Sequence, residues 1–122
     1  MKYMFRAYDK EGKQMVYRDL ETFAMFGCPF VPMQEAIKDG TIMAWTGLRD
    51  KDSVRIYEGD IIFAKMMSIS PIGTYVKVVF DKGSFQVEDK KGDRCWNDYL
   101  IMINGEVIGN VYENPELYEE NK

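Results

Sequence analysis

A mainly β fold, arranged as a small SH3-like barrel, is predicted by three features of this 122-residue chain. Short apolar runs alternate with polar residues at a period of two, as strands with one wet face require. Glycine-bearing turns recur between the runs, at the close spacing of a barrel or sandwich. Eight tyrosines, seven phenylalanines and two tryptophans favour pleated, half-buried surfaces, where large rings pack well.

In "YMFRAY", Tyr3, Phe5 and Ala7 share one face, and Met4, Arg6 and Tyr8 the other. "DKEGK" follows, with Gly12 free to take a positive φ, and "QMVY" returns, so a hairpin is expected. Asp19 is placed to cap a short helix over "LETFAMF", with Gly27 past its end. Pro29 and Pro32 break "CPFVP". Pro32 also suits the first turn of a second helix over "MQEAIKD", which Gly40 would end.

Strands are expected at "TIMAWTG", "VRIY" and "IIFAK", with "EGD" as the turn between the last two and "MMSISPIG" as an apolar loop. "TYVKVVF" and "SFQVED" around "DKG" form the clearest hairpin. "YLIMI" and "VIGNVY" read as a final hairpin about the Asn-Gly of "NGE". Asn114 and Pro115 begin a helical turn in the tail, whose last acids are expected to fray. The whole reads as one domain. A hairpin and short helical segment occupy 1–40, the barrel core 41–112, and a helical turn and tail 113–122.

The formal net charge of −4 and the pI near 4.9 oppose attraction to nucleic acid or anionic lipid. No basic patch overrides them between residues 77 and 94. There Lys77, Lys82, Lys90, Lys91 and Arg94 are offset by Asp81, Glu88, Asp89 and Asp93. The opening lacks an apolar leader core, and no run of ~20 apolar residues could span a bilayer. A bacterial-type reducing cytoplasm is therefore expected, with Cys28 and Cys95 as two buried thiols.

The motifs that would carry chemistry fail on inspection. With no histidine in the chain, the common nucleophile–base pairs and the commonest metal ligand are missing. Two cysteines cannot complete a closed four-cysteine zinc site. In "DKDSVRIYEGDI", Asp50 and Asp52 fill the first and third positions of an EF-hand loop. Val54, Arg55 and Ile61 then stand where an oxygen ligand, a glycine and a glutamate are needed. Glu58 and Asp60 straddle Gly59, as a tight turn wants, and are too close to flank a glycosidic bond. "DKGSF" lacks the second glycine of a phosphate loop. Trp45 and Trp96 are read as core. No catalytic residue, metal ligand or cofactor site is assigned.

Met66, Met67, Ile69 and Ile72 stand apart. Apolar side chains left in water forgo ~25 cal/mol per Å² of burial. A run of them, rich in adaptable methionine, points to an interaction surface.

The stretches "YMFRAYDKEGKQMVY", "WTGLRDKDSVRIYEGDII", "VVFDKGSFQV" and "VIGNVYENPEL", in that order, resemble the YopX-like family of phage and prophage proteins. Tyr8 departs from the family's usual tryptophan, and "DSVR" replaces a common Asn-Gly turn. The resemblance implies a mainly β fold with a barrel core, a prophage origin and a bacterial cytoplasm, and supplies no catalytic or binding residue. The expectation is a non-enzymatic phage accessory protein that binds protein: a second copy of itself, or a host or phage protein. The alternative is a single-stranded nucleic-acid module, since small barrels present aromatic platforms.

Overall fold

A computed structural model describes residues 3–19, 21, 25, 31–39, 41–66, 70–93 and 98–119, for 31–33, 66, 70–72, 98 and 119 by backbone alone. It is mainly β. Two compact units, Met1–Trp45 and Thr46–Lys122, divide the chain within its third strand.

The first unit is built on the expected hairpin. Strand β1 (Met4–Asp9) pairs antiparallel with β2 (Gln14–Asp19), from Met4 opposite Asp19 to Asp9 opposite Gln14. Asp9 Oδ1 accepts the N–H groups of Glu11 and Gly12, each at 3.1 Å, the local bonding that suits aspartate to turns. The positive φ falls on Lys13 (53°) and not on Gly12. A Cβ at 12 would lie 2.5 Å from Asp9 Oδ2, so a larger residue there would displace the aspartate that holds the turn.

Helix α1 (Val31–Asp39) forms where Pro32 and Gly40 predict it. It packs on β1, and Ala36 joins Ala7 and Val16 in a small core flanked by Phe5 and Ile42. Of the earlier helix expected over "LETFAMF", Glu21 and Met25 are helical; its other residues, with Cys28 and Pro29, lie outside the described set. Strand β3 (Met43–Arg49) begins beside β1, with Ala44 opposite Phe5, and carries the chain into the second unit.

In the second unit, β3 neighbours β4 (Arg55–Tyr57). Strands β5 (Asp60–Met66), β6 (Ser70–Asp81), β7 (Ser84–Asp89) and β8 (Glu106–Asn110) form one sheet in the order β7-β6-β5-β8. Its inner face is dry: Ile62, Ala64, Val76, Val78 and Val87 pack with Ile56 and Leu48, and with Ile101 and Met102 from helix α2 (Asp98–Asn104). The β6–β7 turn is tighter than the sequence suggested. Asp81 pairs with Ser84, and Lys82 (φ 51°) with Gly83 (φ 82°) makes the two-residue loop whose twist matches the strands.

Two expectations are overturned. "YLIMI" is helix α2, not a strand, so "NGE" joins a helix to β8, and β8 pairs with β5 instead of closing a hairpin. A five-residue apolar run has no period that separates strand from helix, and helical spacing is what buries Ile101 and Met102 while Tyr99 and Leu100 stay exposed. The described residues of "MMSISPIG" are strand: β5 runs to Met66, β6 starts at Ser70, and the two residues pair. Pro71, which has no N–H to give a ladder, sits next to that strand start, near the irregular register between Ala64 and Met66.

Gly59 occupies the "EGD" turn at φ +87°. Its N–H donates to Val78 O (2.8 Å) and its carbonyl accepts from Val111 N–H (2.9 Å). Gly59→Val puts a β-branched residue in that left-handed conformation. It is expected to lower stability by roughly 1 to 3 kcal/mol, read as a shift in urea midpoint at constant slope.

Candidate functional site

The polar residues singled out from the sequence come to rest as staples on the backbone. Asp50, only 6% exposed, follows β3. Its Oδ1 accepts the N–H groups of Asp52 (2.8 Å) and Val54 (2.9 Å), closing the "DKDS" loop. Its Oδ2 accepts the Val107 N–H at 2.8 Å, from a strand 57 residues further on. Lys51 N–H donates to Gly105 O (3.1 Å) beside it. Three of the carboxylate's lone-pair positions are thus spent on amides, the arrangement that lets an acid be buried. Asp52, on the same loop, is exposed.

Asp60, read from the sequence as a turn residue, lies inside the fold. It is 2% exposed. Its Oδ2 accepts the Tyr57 N–H at 2.7 Å, across the turn that Gly59 bends. Burial is tolerated because the carboxylate ties down the turn from inside.

Asp60 stands opposite Asn110 in the β5–β8 ladder, and Asn110 is the third staple. Its Oδ1 accepts from Tyr112 N–H (3.0 Å) and Glu113 N–H (2.9 Å), and its Nδ2 donates to Glu113 Oε1 (2.8 Å). Asn114 was expected to cap the tail helix with its side chain. Its Oδ1 instead turns back to the Asn110 N–H (3.2 Å), and its carbonyl accepts from Leu117 N–H (3.1 Å) as helix α3 (Pro115–Glu119) begins. A Cβ on Gly109 would strike Asn114 Oδ1 at 2.5 Å, so the close approach requires glycine there. The tail docks as far as Tyr118, whose hydroxyl donates to the carbonyls of Glu88 (2.8 Å) and Asp89, while Lys77 lies 5.1 Å from its ring centre.

The outer face of the β5–β7 sheet carries a pair of rings. Phe63 and Tyr75, paired across β5 and β6, have centroids 5.1 Å apart, and the Lys90 ammonium lies 4.5 Å over Tyr75. Lys77 pairs with Glu88 at 3.8 Å on the same face. On the opposite, core-facing side, in step with Val78 and Val87, Phe80 meets Phe85 edge-on at 5.0 Å; Phe85 packs against the core and Phe80 stays 52% exposed.

Of the proposed interaction surface, Met66 and Ile72 belong to the paired ends of β5 and β6. Met67 and Ile69 lie outside the described residues, as do Cys95 and Trp96. Trp45 is half-buried. Among the described residues, no group of three or more acids or cysteines is placed to hold a metal ion, and no helix is long and apolar enough to cross a membrane.

The bond that sequence reasoning missed is the one from Asp50 to Val107. No local pattern links residues so far apart; the only hint was an aspartate opening a polar loop, which also fits an ordinary turn.

These contacts define a small β-sheet protein whose buried polar side chains secure its own turns. The chain belongs to the YopX family: the family model described as YopX protein matches residues 4–119. The crystal structure of protein EF1440 from Enterococcus faecalis is similar over 96% of this chain and 98% of that one, with 25% sequence identity and a TM-score of 0.59. A search of curated proteins returned no match.

Proposed function

We propose that this YopX-family protein is a phage or prophage accessory protein of the bacterial cytoplasm that works by binding protein, first of all a second copy of itself, and not by catalysis. One observation carries the reading. Asp50, Asp60 and Asn110, three of the four buried polar residues described, lie within the stretches that resemble the family and use their side chains on backbone amides of the same chain. What these residues have in common is architecture, which leaves function to the surface. In this reading the second unit is an open variant of an SH3-like barrel, with the β5–β6–β7 meander as its principal wall.

The surface named is the β5–β6 hairpin end, Met66, Met67, Ile69 and Ile72. Met66 pairs with Ser70, and Ile72 follows in β6. Burying four apolar side chains on association would gain several kcal/mol, at ~25 cal/mol per Å². The test is the particle mass in solution. The unaltered protein is expected to exceed the monomer mass, and Met67→Asp to return it to monomer with its circular dichroism unchanged. A monomer in both cases defeats self-association through this surface. The aromatic pair of Phe63 and Tyr75 with Lys90 favours a second reading, single-stranded nucleic-acid binding. Salt-sensitive binding of an oligonucleotide would move the assignment there.

A further inference from the structure

Asn104 and Gly105 form the chain's one Asn–Gly pair, and the fold does not use it as the reversing turn that such a pair suggests. Asn104 is the last residue of helix α2 and is solvent-exposed; Gly105, just beyond, is buried. The Asn104 Nδ2 donates to Leu100 O at 2.9 Å, one helical turn back. Helical side chains lean toward the helix N-terminus, so the Asn104 carboxamide is drawn away from the amide that follows it. Gly105 is confined as well. Its carbonyl holds the Lys51 N–H, and the space beside its Cα is filled by Ile62 and by the carbonyls of Ile101 and Phe63.

We propose that Asn104–Gly105 is a latent deamidation site, closed by the fold and opened by loosening of the α2–β8 junction. In the opened chain the Gly105 amide nitrogen, losing its proton, bonds to Asn104 Cγ. The Cγ–Nδ2 bond breaks and ammonia leaves, giving a five-membered imide. Water then opens the ring at either carbonyl, leaving aspartate or its β-linked isomer. The bare Cα of Gly105 offers no side chain to hinder ring closure. The isomer adds a methylene to the backbone three residues before the Val107 amide that Asp50 must reach. Loss of ammonia makes the change one-way, so either product marks chains that have opened, and the isomer in addition shifts that register.

The test compares the intact protein at mildly alkaline pH in buffer and in concentrated urea, following the mass gain of amide-to-acid conversion and locating it by peptide mapping. The expected result is conversion at Asn104 in urea and a native rate at least about tenfold lower, the factor set by about 1.4 kcal/mol of opening free energy. Asn104→Gln, which cannot close the five-membered ring as readily, is expected to remove the signal from that peptide in urea. Equal rates in buffer and urea would overturn the proposal. So would absence of conversion in urea, or conversion confined to the other asparagines.

Discussion

Replacing Asp50 by alanine is expected to lower the unfolding free energy by about 3 kcal/mol, the cost of stranding donors that a buried charged acceptor had satisfied. Three amides lose their partner. Those of Asp52 and Val54 belong to exposed residues and regain water. The Val107 N–H belongs to a half-buried strand residue, and most of the loss falls there. Asp50→Asn keeps one oxygen acceptor and should recover part of it. The measurement is the urea midpoint of each variant at constant slope. A change below about 0.5 kcal/mol in Asp50→Ala, the range of ordinary surface substitutions, would show that the bond to Val107 contributes nothing.

Gly105→Ala is expected to cost about 3 kcal/mol, at the upper end of overpacking penalties. The added methyl would lie 2.4 Å from Ile62 Cγ2, 2.7 Å from Ile101 O and 3.2 Å from Phe63 O. Two of these neighbours are backbone atoms of a helix and a strand, so the contact is relieved only by moving α2 away from β5. Gly83→Ala is the control. It has a left-handed φ of +82° but nothing within 4 Å of a new Cβ, and should lose only about 1 kcal/mol, from the conformation alone. Similar losses at the two sites would mean that crowding at Gly105 is relieved without cost.

The sequence disclosed what local chemistry controls. The β1–β2 hairpin, the β6–β7 hairpin and the Gly59 turn were legible because alternation and turn residues act within a few positions. Helix α1 was legible from Pro32 and Gly40. Helix α2 was not, because "YLIMI" satisfies strand and helix alike until something covers one side; the inner face of the sheet decides it by accepting Ile101 and Met102. The reach of β6 back to Ser70 was hidden by Pro71 and Gly73, which read as breakers although both lie within the strand. The staples were half legible. Asp50, Asp60 and Asn114 stood out as loop, turn or cap residues and Asn110 did not; which amide each one meets depends on the fold, and strand order leaves no mark in a single chain. The interaction surface rests on composition alone, since apolar content is visible in sequence and neighbouring side chains are not.

The separation between Asp50 and Val107 also bears on the order of assembly. The β5–β6–β7 meander closes through short loops, whereas β8 must return to β5 across the whole of it, at an entropic cost that grows with the length of chain enclosed. The carboxylate can therefore engage only after the meander stands. A bond formed that late does little to hasten folding and mainly slows escape from the finished state, which makes this aspartate a determinant of how long each molecule lasts.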